Sequence, residues 1–295
     1  IGLPLKPVHQ QSKQELKERC KDRFRAGKED EWEIDFEAFE KALNEKTKML
    51  ILNTPHNPTG KVFTEEEMAR LAKILQKFPQ VVVVEDNVYE GMTFDDMLDV
   101  TLPKMAFQEN MFDRCLSIYS AGKIFAATGV RSGWVIGPAN LIKSVRSVHQ
   151  YTVFCPYNVT ENAIRQSLDV ISRPEDTYMH DYASKLEKNR DILLDILIKS
   201  KYDFNLWIPK GGYFIMADIS KCEIQEKYLK DEEGNERTRD YAFSVQLAYE
   251  DGVVAIPCSP FYSLEEKKIG EKYVRFAFCK DEELIVEAGK RMAPK

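Results

Sequence analysis

At residues 81–89 the chain reads Val-Val-Val-Val-Glu-Asp-Asn-Val-Tyr, four valines followed directly by two acids. A short, β-branched apolar run predicts a strand buried on both faces, as in the parallel sheet of an α/β protein. A carboxylate at the end of such a strand is costly unless a positive group balances it. Ligands of open α/β sheets bind beyond the carboxyl ends of the strands. This stretch therefore predicts an α/β fold with a ligand-binding site near Glu85 and Asp86.

Strand and helix patterns alternate on both sides of this stretch. Buried strands are predicted at Met49–Asn53 and at 115–119, and an amphipathic helix at 35–46. Thr64 and Glu67 have the spacing of a capping box, in which each side chain bonds the other residue's backbone N–H at the start of a helix. The helix that follows has its apolar residues on one face: Met68, Leu71, Ala72, Leu75 and Phe78. Apolar strands that alternate with helices predict an α/β domain with a mostly parallel sheet covered on both faces.

The pattern changes after about residue 175. One long helix is predicted at Tyr178–Lys199. Further strands are predicted at 213–217, 253–256 and 273–278, and further helices at 241–250 and 281–292. This order predicts a second, α+β domain. We therefore predict a large domain over residues 1–178 and a small C-terminal domain over 179–295, with the polar stretch 230–237 as a solvated excursion.

Composition excludes several classes of protein. The 295 residues carry a net charge of −6, and lysines and arginines are scattered, which argues against a nucleic-acid partner. The six cysteines lie far apart without a Cys-x-x-Cys pair, so neither a metal site nor a disulfide framework is expected. No apolar run reaches the length of a membrane span, so no membrane partner is expected. Reduced thiols are compatible with a cytoplasmic or mitochondrial matrix location.

Four segments place polar residues just beyond predicted strands. In the first, two prolines and Gly60 fix a rigid turn that holds the Asn57 amide. In the second, a protonated pyridine nitrogen would balance the Asp86 carboxylate, and Tyr89 would reach an oxygen on the same ring. Plainer interpretations are a β-turn with no other role for the first, and a helix N-cap aspartate with a surface tyrosine for the second.

The third and fourth segments supply cations. Ser120-Ala121-Gly122-Lys123 leads on to Arg131, and the small residues allow a ligand to approach the backbone closely. Desolvation would favour the neutral, nucleophilic amine of Lys123, and Ser120 with Arg131 would hold a phosphate. Arg275 lies in an apolar strand and needs an anion. A solvated surface lysine and a structural carboxylate beside Arg275 are the plainer interpretations.

Taken together, the four segments form one ordered pattern. Asn57-Pro58-Thr59-Gly60, Asp86 with Tyr89, Ser120 with Lys123, Arg131 and Arg275 follow one another after the expected elements. The chain thereby resembles the class I/II aminotransferases, enzymes of the pyridoxal-phosphate-dependent transferase fold type I. It is most similar to the group of kynurenine aminotransferase, glutamine transaminase K and cysteine-conjugate β-lyase. That closer resemblance is carried by Ser120-Ala121-Gly122-Lys123 with Ala127-Thr128-Gly129, by Val148-His149-Gln150 leading to Val153-Phe154, and by Gly211-Gly212-Tyr213-Phe214.

The resemblance implies a cofactor, pyridoxal 5'-phosphate, and a role for each residue. Lys123 is the catalytic residue that holds the cofactor covalently and moves the substrate proton, and Asp86 keeps the pyridine nitrogen protonated. The other implied cofactor ligands are Asn57 and Tyr89 for the ring oxygen, and Ser120 and Arg131 for the phosphate. The implied substrate ligands are Arg275 for the α-carboxylate, Asn57, and Phe154 in the side-chain pocket.

The resemblance also implies substrates and a partner. The expected reaction transfers an amino group from an aromatic, sulfur-containing or glutamine-like amino acid to a 2-oxo acid, in a homodimer. Two alternatives remain open: β-elimination from cysteine conjugates on the same scaffold, and a non-catalytic subunit that kept the fold.

The sequence departs from the family pattern in three places. The family's N-terminal portion has no counterpart here, so we expect the large domain to be incomplete at its N-terminus and the isolated chain to be poorly soluble. Cys155-Pro156 follows Phe154 where the group usually has His-Cys-Pro, so we expect substrate contacts at this point to differ from those of the group. His56 precedes Asn57 where the group often has asparagine.

Overall fold

The computed structural model describes residues 5–7, 14–15, 32–97 and 102–294. The strands and helices used below are β1 (Leu5–Pro7), β2 (Trp32–Ile34), α1 (Phe36–Ala42), β3 (Met49–Asn53), α2 (Glu65–Leu75), β4 (Val82–Asp86), β5 (Cys115–Ser120), α3 (Ala121–Ile124), β6 (Gly133–Ile136), α4 (Ala139–Thr152), α5 (Asn158–Ile171), α6 (Tyr178–Lys199), β7 (Asn205–Leu206), β8 (Phe214–Asp218), α7 (Arg239–Asp251), β9 (Ile256–Pro257), α8 (Lys267–Gly270), β10 (Tyr273–Ala277) and α9 (Glu282–Met292).

The chain folds as two compact units. The first contains Trp32–His56 and Lys61–Ala183, and the second contains Asn57–Gly60 and residues 184–294. The four-residue segment Asn57–Gly60 thus interrupts the first unit and belongs to the second. The domain boundary at residue 178 stays a prediction.

The sheet of the first unit has the strand order β3-β4-β5-β6. The first three strands are parallel, and β6 pairs antiparallel with β5. Met68, Leu71 and Leu75 of α2 are fully buried in one apolar core with Val83 of β4. The mostly parallel sheet is therefore as predicted.

The prediction of full burial is wrong for the edge strand β3. Leu50 and Leu52 face the core, whereas Met49 and Ile51 are 49% and 52% exposed. Alternate side chains of a strand point to opposite faces, so one face of β3 is covered and the other is open among the described residues.

The structure adds an edge strand and two helices for which the sequence made no prediction. The strand is β6, and α4 and α5 each have 14 residues, none of them buried. Their exposed apolar side chains include Val148, Tyr151 and Val159, at 62%, 86% and 64%. Both helices are amphipathic, and among the described residues their apolar faces are at most partly covered.

The sheet of the second unit is antiparallel, in the order β7-β8-β10-β9. Phe204 lies at its core, with the rings of Phe243 and Phe276 edge-on at 5.8 and 5.7 Å. The strand predicted at 253–256 is displaced to β9, because Gly252 ends α7 in the left-handed conformation and Val254 is 74% exposed.

Other predictions concern solvent exposure. Cys115, Cys222 and Cys258 are buried as expected, whereas Cys155 is exposed; Cys20 lies outside the described residues. The stretch 230–237 is mostly exposed, as predicted. None of the helices in the described ranges combines the length and apolar character that crossing a bilayer requires.

Candidate active site

Three polar residues end adjacent parallel strands of the first unit. Asn53, Asp86 and Ser120 are the last residues of β3, β4 and β5. Asn53 is opposite Asp86 in the register and donates a side-chain hydrogen bond of 2.9 Å to its carbonyl oxygen. Since the strands are parallel, the polar groups collect at one edge of the sheet.

Lys123 lies beside Asp86 and Tyr89 at this edge. Its Nζ is 5.9 Å from the centre of the Tyr89 ring, and its charge interacts with the Asp86 carboxylate. Burial raises the pKa of Asp86, while the backbone N–H of Val88 and the charge of Lys123 act in the opposite direction. A partly desolvated carboxylate favours a cationic partner, which a protonated ring nitrogen would provide.

The plainer interpretation of Asp86 and Tyr89 does not hold. Residues 88–91 form a turn, so Asp86 does not cap a helix, and Tyr89 is only 4% exposed. The phenol therefore lies inside the unit, close to the amine.

The β5–β6 pairing brings the backbone of Ser120 near that of Arg131. Ser120 is opposite Gly133, and the Ala121 N–H donates to the Ser132 carbonyl oxygen at 3.1 Å. Arg131 has a left-handed backbone (φ 51°), is exposed, and donates to the Thr128 carbonyl oxygen at 3.3 Å. The Ser120 hydroxyl does not cap α3. A hydroxyl and a guanidinium at one strand end fit an anion such as phosphate.

Gly122 allows the chain to pack closely between these residues. A Cβ at this position would lie 3.2 Å from the Thr128 Cα, a tight contact against backbone. A side chain before Lys123 would therefore require the backbone at Thr128 to shift by a few tenths of an ångström.

The second unit joins Asn57 and Arg275, which are 218 residues apart. Arg275 Nη1 donates a hydrogen bond to Asn57 Oδ1. The segment that carries Asn57 is fixed by Gly60 (φ 71°), whose carbonyl oxygen accepts from the Lys210 and Gly211 N–H groups, both at 3.1 Å. Among the described residues no structural carboxylate pairs with Arg275, so an external anion remains the better interpretation.

Aromatic rings flank the Arg275 guanidinium. Its central carbon lies 4.3 Å from the centre of the Phe214 ring and 4.8 Å from that of Phe261. Neither ring was predicted to contact this arginine. Phe214 belongs to a motif already singled out, but no spacing in the sequence points to Phe261.

Phe154 and His56 differ sharply in their exposure. Phe154 follows α4 with φ 71° and is 84% exposed, so its ring is largely uncovered by the described part of the chain. Burial, followed by the charge of Lys61, lowers the pKa of His56 to about 4. His56 is therefore neutral near pH 7.

The predicted residues thus fall into two sets. Asp86, Tyr89, Ser120, Lys123 and Arg131 belong to the first unit, and Asn57 and Arg275 to the second. The role of each residue stays a prediction.

Comparison with known proteins identifies relatives over most of the chain. The sequence model of the family Aminotransferase class I and II matches residues 15–291. A kynurenine--oxoglutarate transaminase of Dictyostelium discoideum is 38% identical over 264 residues, which are 87% of this chain and 58% of that protein. The chain therefore spans less than two thirds of the length of this relative.

Solved structures are also similar to this chain over most of its length. The crystal structure of Bna3p from Saccharomyces cerevisiae is 37% identical, with a TM-score of 0.76 over 88% of this chain and 60% of that one. The N-succinyldiaminopimelate aminotransferase of Mycobacterium tuberculosis is 31% identical, also with a TM-score of 0.76, over 91% and 63%.

Proposed function

Because this chain belongs to the class I and II aminotransferases, we propose that the protein is a pyridoxal-phosphate-dependent transaminase. It transfers an amino group from an aromatic, sulfur-containing or glutamine-like amino acid to a 2-oxo acid. The observation that carries the proposal is Lys123, held beside Asp86 and within 5.9 Å of the Tyr89 ring. The similarity to a kynurenine--oxoglutarate transaminase supports the donor class.

The residues of the first unit fit pyridoxal 5'-phosphate. Lys123 would hold it covalently, Asp86 would bind the ring nitrogen and Tyr89 the ring oxygen. Ser120 and Arg131 would bind the phosphate. When bound, this cofactor supplies an electron-withdrawing ring that stabilises negative charge at the substrate Cα.

Lys123 is also the residue suited to proton transfer. Its amine would accept the proton that leaves the substrate Cα and would donate it to C4′ of the cofactor. The Asp86 carboxylate keeps the proton on the ring nitrogen, because a charged partner stabilises the protonated form.

Arg275 and Asn57 are proposed to bind the substrate. A guanidinium binds a carboxylate through two parallel hydrogen bonds, so Arg275 would orient the α-carboxylate. Asn57 accepts one bond from Arg275 and so helps to fix the guanidinium. We further propose that Asn57 contacts the cofactor ring oxygen and that Phe154 contributes to the substrate side-chain pocket of the partner subunit.

The proposed assembly is a homodimer in the cytoplasm or the mitochondrial matrix. Exposed apolar faces of α4 and α5 support a partner subunit, since contiguous apolar surface marks interaction sites. Three of the described cysteines are buried and none of the described ones forms a disulfide, which is compatible with a reducing compartment.

The proposal is tested by Lys123→Ala in the full-length protein. We expect the variant to lose the visible absorbance of a lysine-bound cofactor and its response to added amino acid, and to lose transamination. Lys268→Ala, which changes an exposed lysine, is the control and should behave as wild type. A Lys123→Ala protein that kept the amino-acid-responsive absorbance would contradict the assignment.

A further inference from the structure

The guanidinium of Arg275 is held by two aromatic rings and one hydrogen bond. Nη1 donates to Asn57 Oδ1, and this is the one hydrogen bond of the side chain among the described residues. Nε is buried and has no hydrogen-bond partner in that part of the chain. An arginine has five N–H donors, so polar contacts alone leave the orientation of the group poorly fixed.

Phe214 lies beside Arg275 because of the strand register. Arg275 of β10 is opposite Met216 of β8, and Phe214 is two residues from Met216, on the same face. Phe214 is only 8% exposed, and its ring centre is 4.3 Å from the guanidinium carbon. This ring provides a buried support for the cation.

Phe261 comes from the 3₁₀ turn Ser259–Phe261, outside the strands. It is 46% exposed, and its ring centre is 4.8 Å from the guanidinium carbon. Cation–π attraction favours a guanidinium over an aromatic face, and aromatic contact limits its rotation. The edges of the planar group, which carry the N–H donors, remain suited to a planar carboxylate.

We propose that Phe214 and Phe261 are positioning residues that fix the Arg275 guanidinium for recognition of the substrate α-carboxylate. This inference rests on the proposed function of Arg275. It assigns to the two rings an effect on carboxylate affinity, with little effect on the chemical step.

Phe261 allows the cleaner test, because it is half exposed whereas Phe214 also belongs to the buried interior. Phe261→Leu removes the aromatic face and keeps an apolar side chain, and Phe261→Tyr keeps the face. We measure the Kd of 3-phenylpropionate, which has the carboxylate without the amine, by calorimetry on the full-length holoprotein. We also measure KM and kcat for L-phenylalanine.

For Phe261→Leu the Kd of 3-phenylpropionate and the KM should rise about three- to tenfold, as expected for the loss of one partly exposed cation–π contact, with kcat nearly unchanged. Phe261→Tyr should restore both values. Binding of 2-phenylethylamine, which lacks the carboxylate, should be the same in all variants. Phe112→Leu, at a 55% exposed phenylalanine of the other unit, is the matched control.

Arg275→Lys separates the two hypotheses. If Arg275→Lys weakens 3-phenylpropionate binding but Phe261→Leu does not, the positioning inference is wrong and the role of Arg275 stands. If Arg275→Lys leaves the Kd unchanged, the proposed function of Arg275 is itself wrong. Equal weakening of 3-phenylpropionate and 2-phenylethylamine by Phe261→Leu would indicate a general structural effect and would also overturn the inference.

Discussion

His56 is an ionisable residue whose environment opposes its charged form. Burial is the main cause, and the charge of Lys61 adds to it, so that the pKa falls to about 4 from an ordinary value of 6.5. The backbone N–H of His56 also donates a hydrogen bond to the Lys61 carbonyl oxygen at 2.8 Å, which fixes the backbone of His56 next to Lys61.

The low pKa of His56 predicts a loss of stability in acid. Between pH 6.5 and about 4 the unfolded histidine binds a proton and the folded one does not, so stability falls as the pH falls through this window. For His56→Asn this contribution is absent. We expect the wild type to lose up to about 3 kcal/mol more unfolding free energy than the variant between pH 7 and pH 4.

Urea unfolding at several pH values, followed by circular dichroism, measures the difference. His149→Asn, at an exposed histidine, is the control and should follow the wild type. Parallel pH profiles for wild type and His56→Asn would contradict the assignment.

The sequence predicts the neighbours of some site residues but not of others. Asp86, Tyr89 and Lys123 each follow an apolar strand closely, so the sheet edge that joins them was predictable from local pattern. The contact between Asn57 and Arg275 depends on a loop and a strand 218 residues apart, and no local pattern encodes such a pairing. The contacts of Phe214 and Phe261 with Arg275 were not predicted, because they too join residues that are distant in the sequence.

At the scale of one element, α2 begins with a complete capping box. The Thr64 hydroxyl accepts from the Glu67 N–H at 3.2 Å, and the Glu67 carboxylate accepts from the Thr64 N–H at 3.0 Å. Glu67 also pairs with Lys61 at 2.7 Å. The predicted helix start is confirmed, because its signal lies within four residues.

Thr64→Ala should lower the free energy of unfolding by about 1 kcal/mol, since it leaves an N-terminal N–H of the helix without its acceptor. Denaturant midpoints, measured by circular dichroism, give the difference. Thr152→Ala, at an exposed threonine near the end of α4, is the control and should change stability by less than about 0.5 kcal/mol. A Thr64→Ala protein as stable as this control would show that the capping box contributes nothing.

The sequence predicted where helices begin better than where they end. The helix predicted at 35–46 ends at Ala42, because Leu43 is already extended. The strong regular pattern of α6 gave both of its ends correctly. No residue of α4 or α5 is fully buried among the described residues, and their sequences do not show what their apolar stripes pack against.

At the scale of the whole molecule, the predicted fold class is confirmed by the family and by solved aminotransferases with TM-scores of 0.76. The alternation of strands and helices, and the later change of pattern, predicted an α/β domain followed by an α+β domain, and the resemblance carried by the polar segments predicted fold type I. The open face of β3 and the uncovered faces of α4 and α5 depend on what packs against them, which a pattern within one chain does not contain.

Val148→Lys tests the proposed homodimer. Val148 is 62% exposed on α4, and burying a lysine in an apolar subunit contact is unfavourable. We expect a dimer mass for the full-length wild type and a shift of at least part of the variant to the monomer, measured by sedimentation equilibrium.

Val254→Lys, at a 74% exposed valine of the second unit, is the matched control and should leave the mass unchanged. A wild-type protein that is monomeric at all concentrations would contradict the homodimer. A fully dimeric Val148→Lys protein would show that this face of α4 is not the contact.

The segment Asn57–Gly60 interrupts the first unit and belongs to the second. A Cβ on Gly60 would lie 2.2 Å from the Pro209 Cβ, so the two parts of the second unit fit tightly although most of the first unit separates them in the sequence. A gene recombined between related enzymes anywhere from codon 61 to codon 208 would combine these parts from different parents. Chimeras with a crossover there should therefore fold only when the residues at 57–60 from one parent are compatible with those at 209–211 from the other. Among folded chimeras of dissimilar parents, both short stretches should come from the same parent.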